Sequence, residues 1–135
     1  MSIFQRLFGS SSAAQREPLE ATHPVFRLKA GMGKEAVTGL LGGDYLSMTG
    51  GQFVESRQAS PGVVDIIDPS VLEQEYWLYS DQGHYIEIVF RSGSLVSAEV
   101  KTKNADRSET LLARIDQEGL AAAEPYRAAL GANRL

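Results

Sequence analysis

The chain of 135 residues contains no cysteine. This absence excludes disulfides, thiolate catalysis, cysteine-ligated zinc and lipid attachment to a cysteine side chain. Histidine is almost as scarce, since His23 and His84 are the only two and lie far apart without metal-ligating neighbours at a useful spacing. The sequence therefore predicts no catalytic residue set, no metal site and no cofactor.

Long hydrophobic runs and blocks of like charge are also missing. No stretch approaches the roughly 18 apolar residues of a membrane span, and the N-terminus lacks the apolar core of a secretory signal peptide. Lysine and arginine occur singly in a chain of net charge −4, a pattern that argues against a nucleic-acid partner. These features predict a single globular domain in the cytoplasm.

The first twelve residues predict a short amphipathic element followed by a Gly/Ser linker. The element docks on a membrane surface or a partner in one interpretation, and is a frayed terminus in the other. Its single basic residue, Arg6, favours the second interpretation, because membrane-surface helices carry a basic face. Four apolar side chains share one helical face: Ile3, Phe4, Leu7 and Phe8.

Residues 13–24 are polar and contain two prolines, which is typical of a linker or an irregular arm. We therefore divide the chain into an N-terminal arm or linker of residues 1–24 and one domain of residues 25–135. Residues 44–74 show only strand-like fragments, Gln52–Glu55 and Val63–Ile67.

The clearest pattern lies between Glu75 and Val100, where three apolar-rich runs are separated by short turn sequences. This pattern predicts a three-stranded antiparallel meander over residues 75–102, with strands near 75–80, 84–91 and 94–102. Alternation along the second and third runs assigns six side chains to the core: Ile86, Ile88, Phe90, Val96, Ala98 and Val100.

Helices are predicted on both sides of the meander. One follows Gly33 and ends at Gly42, with the apolar stripe Ala36, Val37, Leu40 and Leu41. A second begins at Ser108, with Leu111, Leu112, Ile115 and Leu120 as its stripe, and a last short helix begins near Pro125. The predicted fold class is α+β, in which helices pack on one face of an antiparallel sheet built around the meander, with an added C-terminal helix.

Several short motifs are suggestive of a known family. They are Gly31-Met32-Gly33-Lys34-Glu35-Ala36-Val37 with Leu40-Leu41-Gly42, then Tyr76-Trp77-Leu78-Tyr79, then Tyr85-Ile86-Glu87-Ile88-Val89-Phe90 with Gly93-Ser94-Leu95-Val96. Together they resemble the BamE/SmpA small outer-membrane lipoproteins and the related repeat of the β-lactamase inhibitor protein. The resemblance implies two helices on a three-stranded antiparallel sheet, a non-lipidated member because cysteine is absent, and work by binding other proteins.

The predicted function is accordingly a non-enzymatic module that docks another protein through an aromatic sheet face or edge. Trp77, Tyr79 and Tyr85 are the expected anchors, because tyrosine and tryptophan dominate binding hot spots. Two alternatives stay open, namely a small enzyme or ligand-binding domain with a pocket between helix and sheet, and a cytoplasmic immunity or inhibitor protein. A homodimer is also compatible with the sequence.

Overall fold

A computed structural model describes residues 18–52 and 73–135, and its main element is a seven-stranded sheet in the order β1 to β7. Neighbouring strands are antiparallel except β6 and β7, which are parallel. The strands are β1 Leu46–Thr49, β2 Gln74–Asp81, β3 His84–Arg91, β4 Ser94–Lys103, β5 Glu109–Asp116, β6 Gly119–Ala122 and β7 Asn133–Arg134.

The helices are short beside this sheet. Helix α1 is Lys34–Leu41, with Gly33 at its N-cap and Gly42 beyond its end at a φ of 88°. Helix α2 is Tyr126–Leu130, and a 3₁₀ turn spans Pro24–Arg27. The predicted architecture of helices packed on a small sheet is therefore wrong, because most of the described chain between β2 and β6 is strand.

The helix predicted from Ser108 is replaced by strands β5 and β6. Ala113 and Ile115 point into the core two residues apart, while Leu112 is an extra residue between Leu111 and Ala113 in the pairing with β4. This bulge makes Leu111, Leu112 and Ile115 resemble a helical stripe in the sequence. Pairing with the edge of β4 thus overrides the local pattern.

The three predicted strands of the meander are present as β2, β3 and β4. Gln82 and Gly83 join β2 to β3 with φ values of 51° and 79°, and Ser92 and Gly93 join β3 to β4 with 52° and 78°. Positive φ at both central residues gives tight turns whose twist matches that of the flanking strands.

One predicted core residue of the meander is wrong. Val96 is only half-buried, whereas Leu95 is buried. The register explains the exchange, because Ser97 pairs with Val89 and Leu95 pairs with Phe90, which leaves Val96 as a bulge. The Leu95 backbone bonds to the loop before α1: its carbonyl accepts from Gly31 N–H and its N–H donates to the Met32 carbonyl, both at 2.8 Å.

The core lies on one face of the sheet, here named the core face, and the opposite face is named the outer face. The 3₁₀ turn, α1 and α2 contribute Val25, Val37 and Tyr126 to the core cluster. Leu19, assigned to the arm by sequence, is only 2% exposed and belongs to the same cluster. The predicted element at residues 1–12 and most of the strand-like fragments in 44–74 lie outside the described residues.

Candidate protein-binding face of the sheet

Two of the three predicted anchors lie in the core. Trp77 and Tyr79 are 3% and 5% exposed, because they pair with Ile88 and Ile86 and share their inward direction. The ring of Tyr45 stacks on Trp77 with centroids 3.9 Å apart. Trp77 and Tyr79 are therefore not surface anchors in this structure, and the sequence could not distinguish which face of β2 points inward.

The polar atoms of both rings are bonded inside the protein. Trp77 Nε1–H donates to Glu75 Oε2 at 2.6 Å, and the Tyr79 hydroxyl donates to the Gly42 carbonyl at 2.8 Å. Burial raises the pKa of Tyr79 to about 12. The bond of Tyr79 holds the end of α1 against the sheet, and the bond of Trp77 holds the Glu75 carboxylate at the start of β2. Both rings therefore have a structural role.

Glu75 joins this aromatic cluster to α1. Its Oε1 accepts a hydrogen bond from Lys34 Nζ at 2.9 Å, while its Oε2 accepts from Trp77. Partial burial opposes ionisation of Glu75, but the bonds from Lys34 and Trp77 outweigh it, so the pKa of Glu75 is lowered.

The lowered pKa makes part of the stability sensitive to acid. A depressed carboxyl pKa contributes stability above the unfolded value of 4.5, and this contribution is lost as the pH falls through the folded pKa. Glu75→Gln should lower the free energy of unfolding at pH 7 by about 1 kcal/mol or less, since the ion pair is partly exposed. The difference between variant and parent, measured by urea unfolding, should shrink by pH 3. An exposed control, Glu73→Gln, should show no such convergence, and a pH-independent difference at Glu75 would contradict the assignment.

Tyr85 is the one predicted anchor on the outer face, where it is half-buried. It lies near the start of the interior strand β3, between Ser80 of β2 and Lys101 of β4. An amphipathic ring on an interior strand presents one edge to solvent while its body packs on the neighbouring strands. Tyr85 therefore has the placement that the sequence assigned to all three rings.

An ion network centred on Lys101 lies beside Tyr85. Lys101 Nζ lies 3.6, 3.5 and 3.8 Å from carboxylate oxygens of Glu87, Glu99 and Glu109, and Arg114 Nε lies 3.2 Å from Glu99. Partial burial opposes the charge on Lys101, but the three carboxylates outweigh it and raise the pKa of Lys101. The network spans β3, β4 and β5, and sequence analysis missed it because its members become neighbours only through strand pairing.

Apolar side chains of β1, β2 and β3 continue the outer face beyond Tyr85, away from the turn between β2 and β3. Met48, Leu78 and Val89 are half-buried, and Leu46 at the sheet edge is 60% exposed. Tyr76 is the most buried outer-face ring, and its hydroxyl donates to Gln74 Oε1 at 2.7 Å. Burial and the charge of Glu87 raise the pKa of Tyr76, while Arg91 opposes the shift.

Both histidines lie beside Asp81, at the turn between β2 and β3. His23 Nδ1 accepts from Val25 N–H at 3.1 Å, so the other nitrogen, Nε2, carries the proton that is donated to Asp81 at 2.7 Å. His84 is buried, and its Nδ1 is 3.0 Å from the Gln82 carbonyl, to which it donates. Both His23 nitrogens are therefore bonded within the protein, and His84 faces the core.

Two further features of the described residues bear on the class of site. Within residues 18–52 and 73–135, no three histidine, aspartate or glutamate side chains are grouped to hold a metal ion. None of the helices in the same part of the chain is long and apolar enough to span a membrane.

Comparison of the chain with protein-family models, curated proteins and solved structures gave no match. The resemblance to the BamE/SmpA lipoproteins therefore stays a prediction.

Proposed function

We propose that this chain is a non-enzymatic protein-binding module that docks another protein on the outer face of its sheet, with Tyr85 at the centre of the contact. The observation that carries the proposal is the position of Tyr85, half-buried on the outer face of the interior strand β3, beside Lys101 of the ion network and diagonal to Leu78 of β2. This arrangement has the composition of a binding hot spot.

The apolar half of the outer face supplies contact area. Leu78 and Val89 lie on β2 and β3, and both are half-buried rather than fully exposed. Side chains already held by their neighbours lose little conformational entropy when a partner covers them. The rigid sheet beneath also keeps Tyr85 in place before binding, which lowers the cost of association.

The ion network supplies selectivity. Lys101 is shared among three carboxylates, so a partner that brings a cation near Glu87 or Glu109 would find an acceptor, whereas a partner carboxylate would be repelled. Two like charges brought together at a contact lose more binding free energy than an exposed ion pair contributes. Charges at the rim of a contact therefore act mainly on the choice of partner.

The environment of the histidines supports a non-enzymatic role. General acid–base catalysis needs a ring nitrogen within reach of substrate. His23 uses one nitrogen for the Val25 N–H and the other for Asp81, and His84 is buried against the core face. Both rings serve instead to hold the turn between β2 and β3 and the residues around the 3₁₀ turn.

Substitution of Tyr85 tests the proposal. The full-length chain, immobilised, should retain a specific protein from lysate of its source cell, and that protein should then be purified for titration. Tyr85→Ala should weaken its binding about thirtyfold, since truncation of a hot-spot aromatic costs about 2 kcal/mol. Circular dichroism should show the variant folded, because the ring is only half-buried.

Two matched variants sharpen the measurement. Tyr85→Phe keeps the ring and should retain most of the affinity, whereas Lys29→Ala removes an exposed side chain before α1 and should bind like the parent. Equal binding by Tyr85→Ala and the parent would show that the partner does not use this face.

A further inference from the structure

Strand β1 forms one edge of the sheet in the part of the chain that the structure describes, and its length of four residues is the one usual edge protection that it has there. Soluble proteins guard such edges with lysine, proline or bulges. Leu46–Thr49 contains none of these residues, pairs with β2 without a bulge, and exposes 60% of Leu46. An uncharged edge with an exposed leucine favours pairing with another strand.

The hydrogen bonds of Thr49 show which backbone groups of β1 are directed outward. Thr49 N–H donates to Gln52 Oε1 at 2.9 Å instead of to β2. In an antiparallel pair, N–H groups two residues apart point to the same side. Ser47 N–H and its carbonyl are therefore directed away from β2, at the middle of the strand.

We propose that β1 pairs with β1 of a second copy of this chain, antiparallel and about a two-fold axis at Ser47. The two Ser47 residues then exchange N–H···O=C bonds. Leu46 of each copy lies opposite Met48 of the other, in the close pairs of an antiparallel ladder. The contact is isologous, as two-fold dimers require.

The chemistry of β1 fits a second copy better than an unrelated strand. Leu46 and Met48 pair with Leu78 and Tyr76, so both belong to the outer face. The two-fold axis places the exposed Leu46 against the half-buried side chain of Met48 in the other copy. It brings no like charges together, because Leu46–Thr49 contains no charged residue. Gln52 caps Thr49 N–H, which limits the pairing to the centre of the strand and predicts a weak dimer.

The absence of cysteine allows a clean cross-linking test. Residues opposite each other in such a hydrogen-bonded pair have Cα atoms about 5.5 Å apart, within the range of a disulfide. Ser47→Cys in the full-length chain, under mild oxidant, should form a covalent dimer. Ser80→Cys, at an exposed position of β2, should stay largely monomeric under the same conditions.

Sedimentation velocity over a range of concentrations gives the second measurement. The parent should show a monomer–dimer equilibrium, and Leu46→Lys should weaken it about tenfold or more, equivalent to about 1.4 kcal/mol. Ser80→Lys should leave it unchanged, and so should Tyr85→Ala, which separates this contact from the proposed partner-binding centre. A parent that stays monomeric, or a Ser47→Cys variant that cross-links no better than Ser80→Cys, would overturn the dimer; the second result would also be expected if the edge receives a strand of another protein.

Discussion

Truncation of Phe90 to alanine is expected to lower the free energy of unfolding by about 3–5 kcal/mol. Phe90 is 1% exposed on the interior strand β3, and its ring meets Trp77 edge-on with centroids 4.6 Å apart. Lys34 Nζ lies 6.0 Å from the centroid of the same ring. The loss therefore combines the burial of one aromatic side chain with a cavity beside Trp77 that the rigid sheet cannot close.

Urea unfolding followed by tryptophan fluorescence measures this change directly, because Trp77 is the only tryptophan of the chain. Val89→Ala, one residue earlier on the outer face, serves as the control and should cost about 1 kcal/mol. Equal midpoints for Phe90→Ala and the parent would mean that the face assignment of β3 is wrong.

Leu95→Ala is expected to be far more destabilising than Val96→Ala. Leu95 is 2% exposed and faces the core, so its truncation should cost about 2–5 kcal/mol. Val96 is the bulge residue and half-buried, so its truncation should cost about 1 kcal/mol or less. The two residues are neighbours of similar chemistry, and their difference therefore measures the register of β4.

Thermal and urea unfolding of the two variants in parallel provides the comparison. A regular strand without a bulge would bury Val96 and expose Leu95, as simple alternation predicts. A larger loss at Val96 than at Leu95 would support that regular register and refute the bulge.

The sequence predicts β2, β3 and β4 well because their turns and alternation are local signals. Gly83 and Gly93 mark tight turns, and Ile86, Ile88 and Phe90 alternate without interruption. The same local signals fail at β5, where the bulge at Leu112 places apolar residues at helical spacing. A strand that depends on its neighbour for its identity cannot be recognised from its own residues alone.

The candidate site also combines features that local sequence signals predict with features that depend on strand pairing. The sequence identifies Tyr85 and the apolar character of β2 and β3, but it cannot decide which face of β2 is buried, so Trp77 and Tyr79 are assigned to the surface wrongly. The Lys101 network is invisible in the sequence, since its partners lie on three strands. The link between His23 and Asp81 joins distant parts of the chain in the same way.

The pairing of Leu95 with the loop before α1 has a consequence for how the chain folds. From β2 to β6, each strand lies beside its successor in sequence, so these contacts are local and close quickly. The bonds from Leu95 to Gly31 and Met32 are different, because they must wait for a distant part of the chain. We therefore expect the hairpins to form first. The shift that turns Leu95 inward is then completed only when the loop before α1 pairs with Leu95, as a late step that selects the final register of β4.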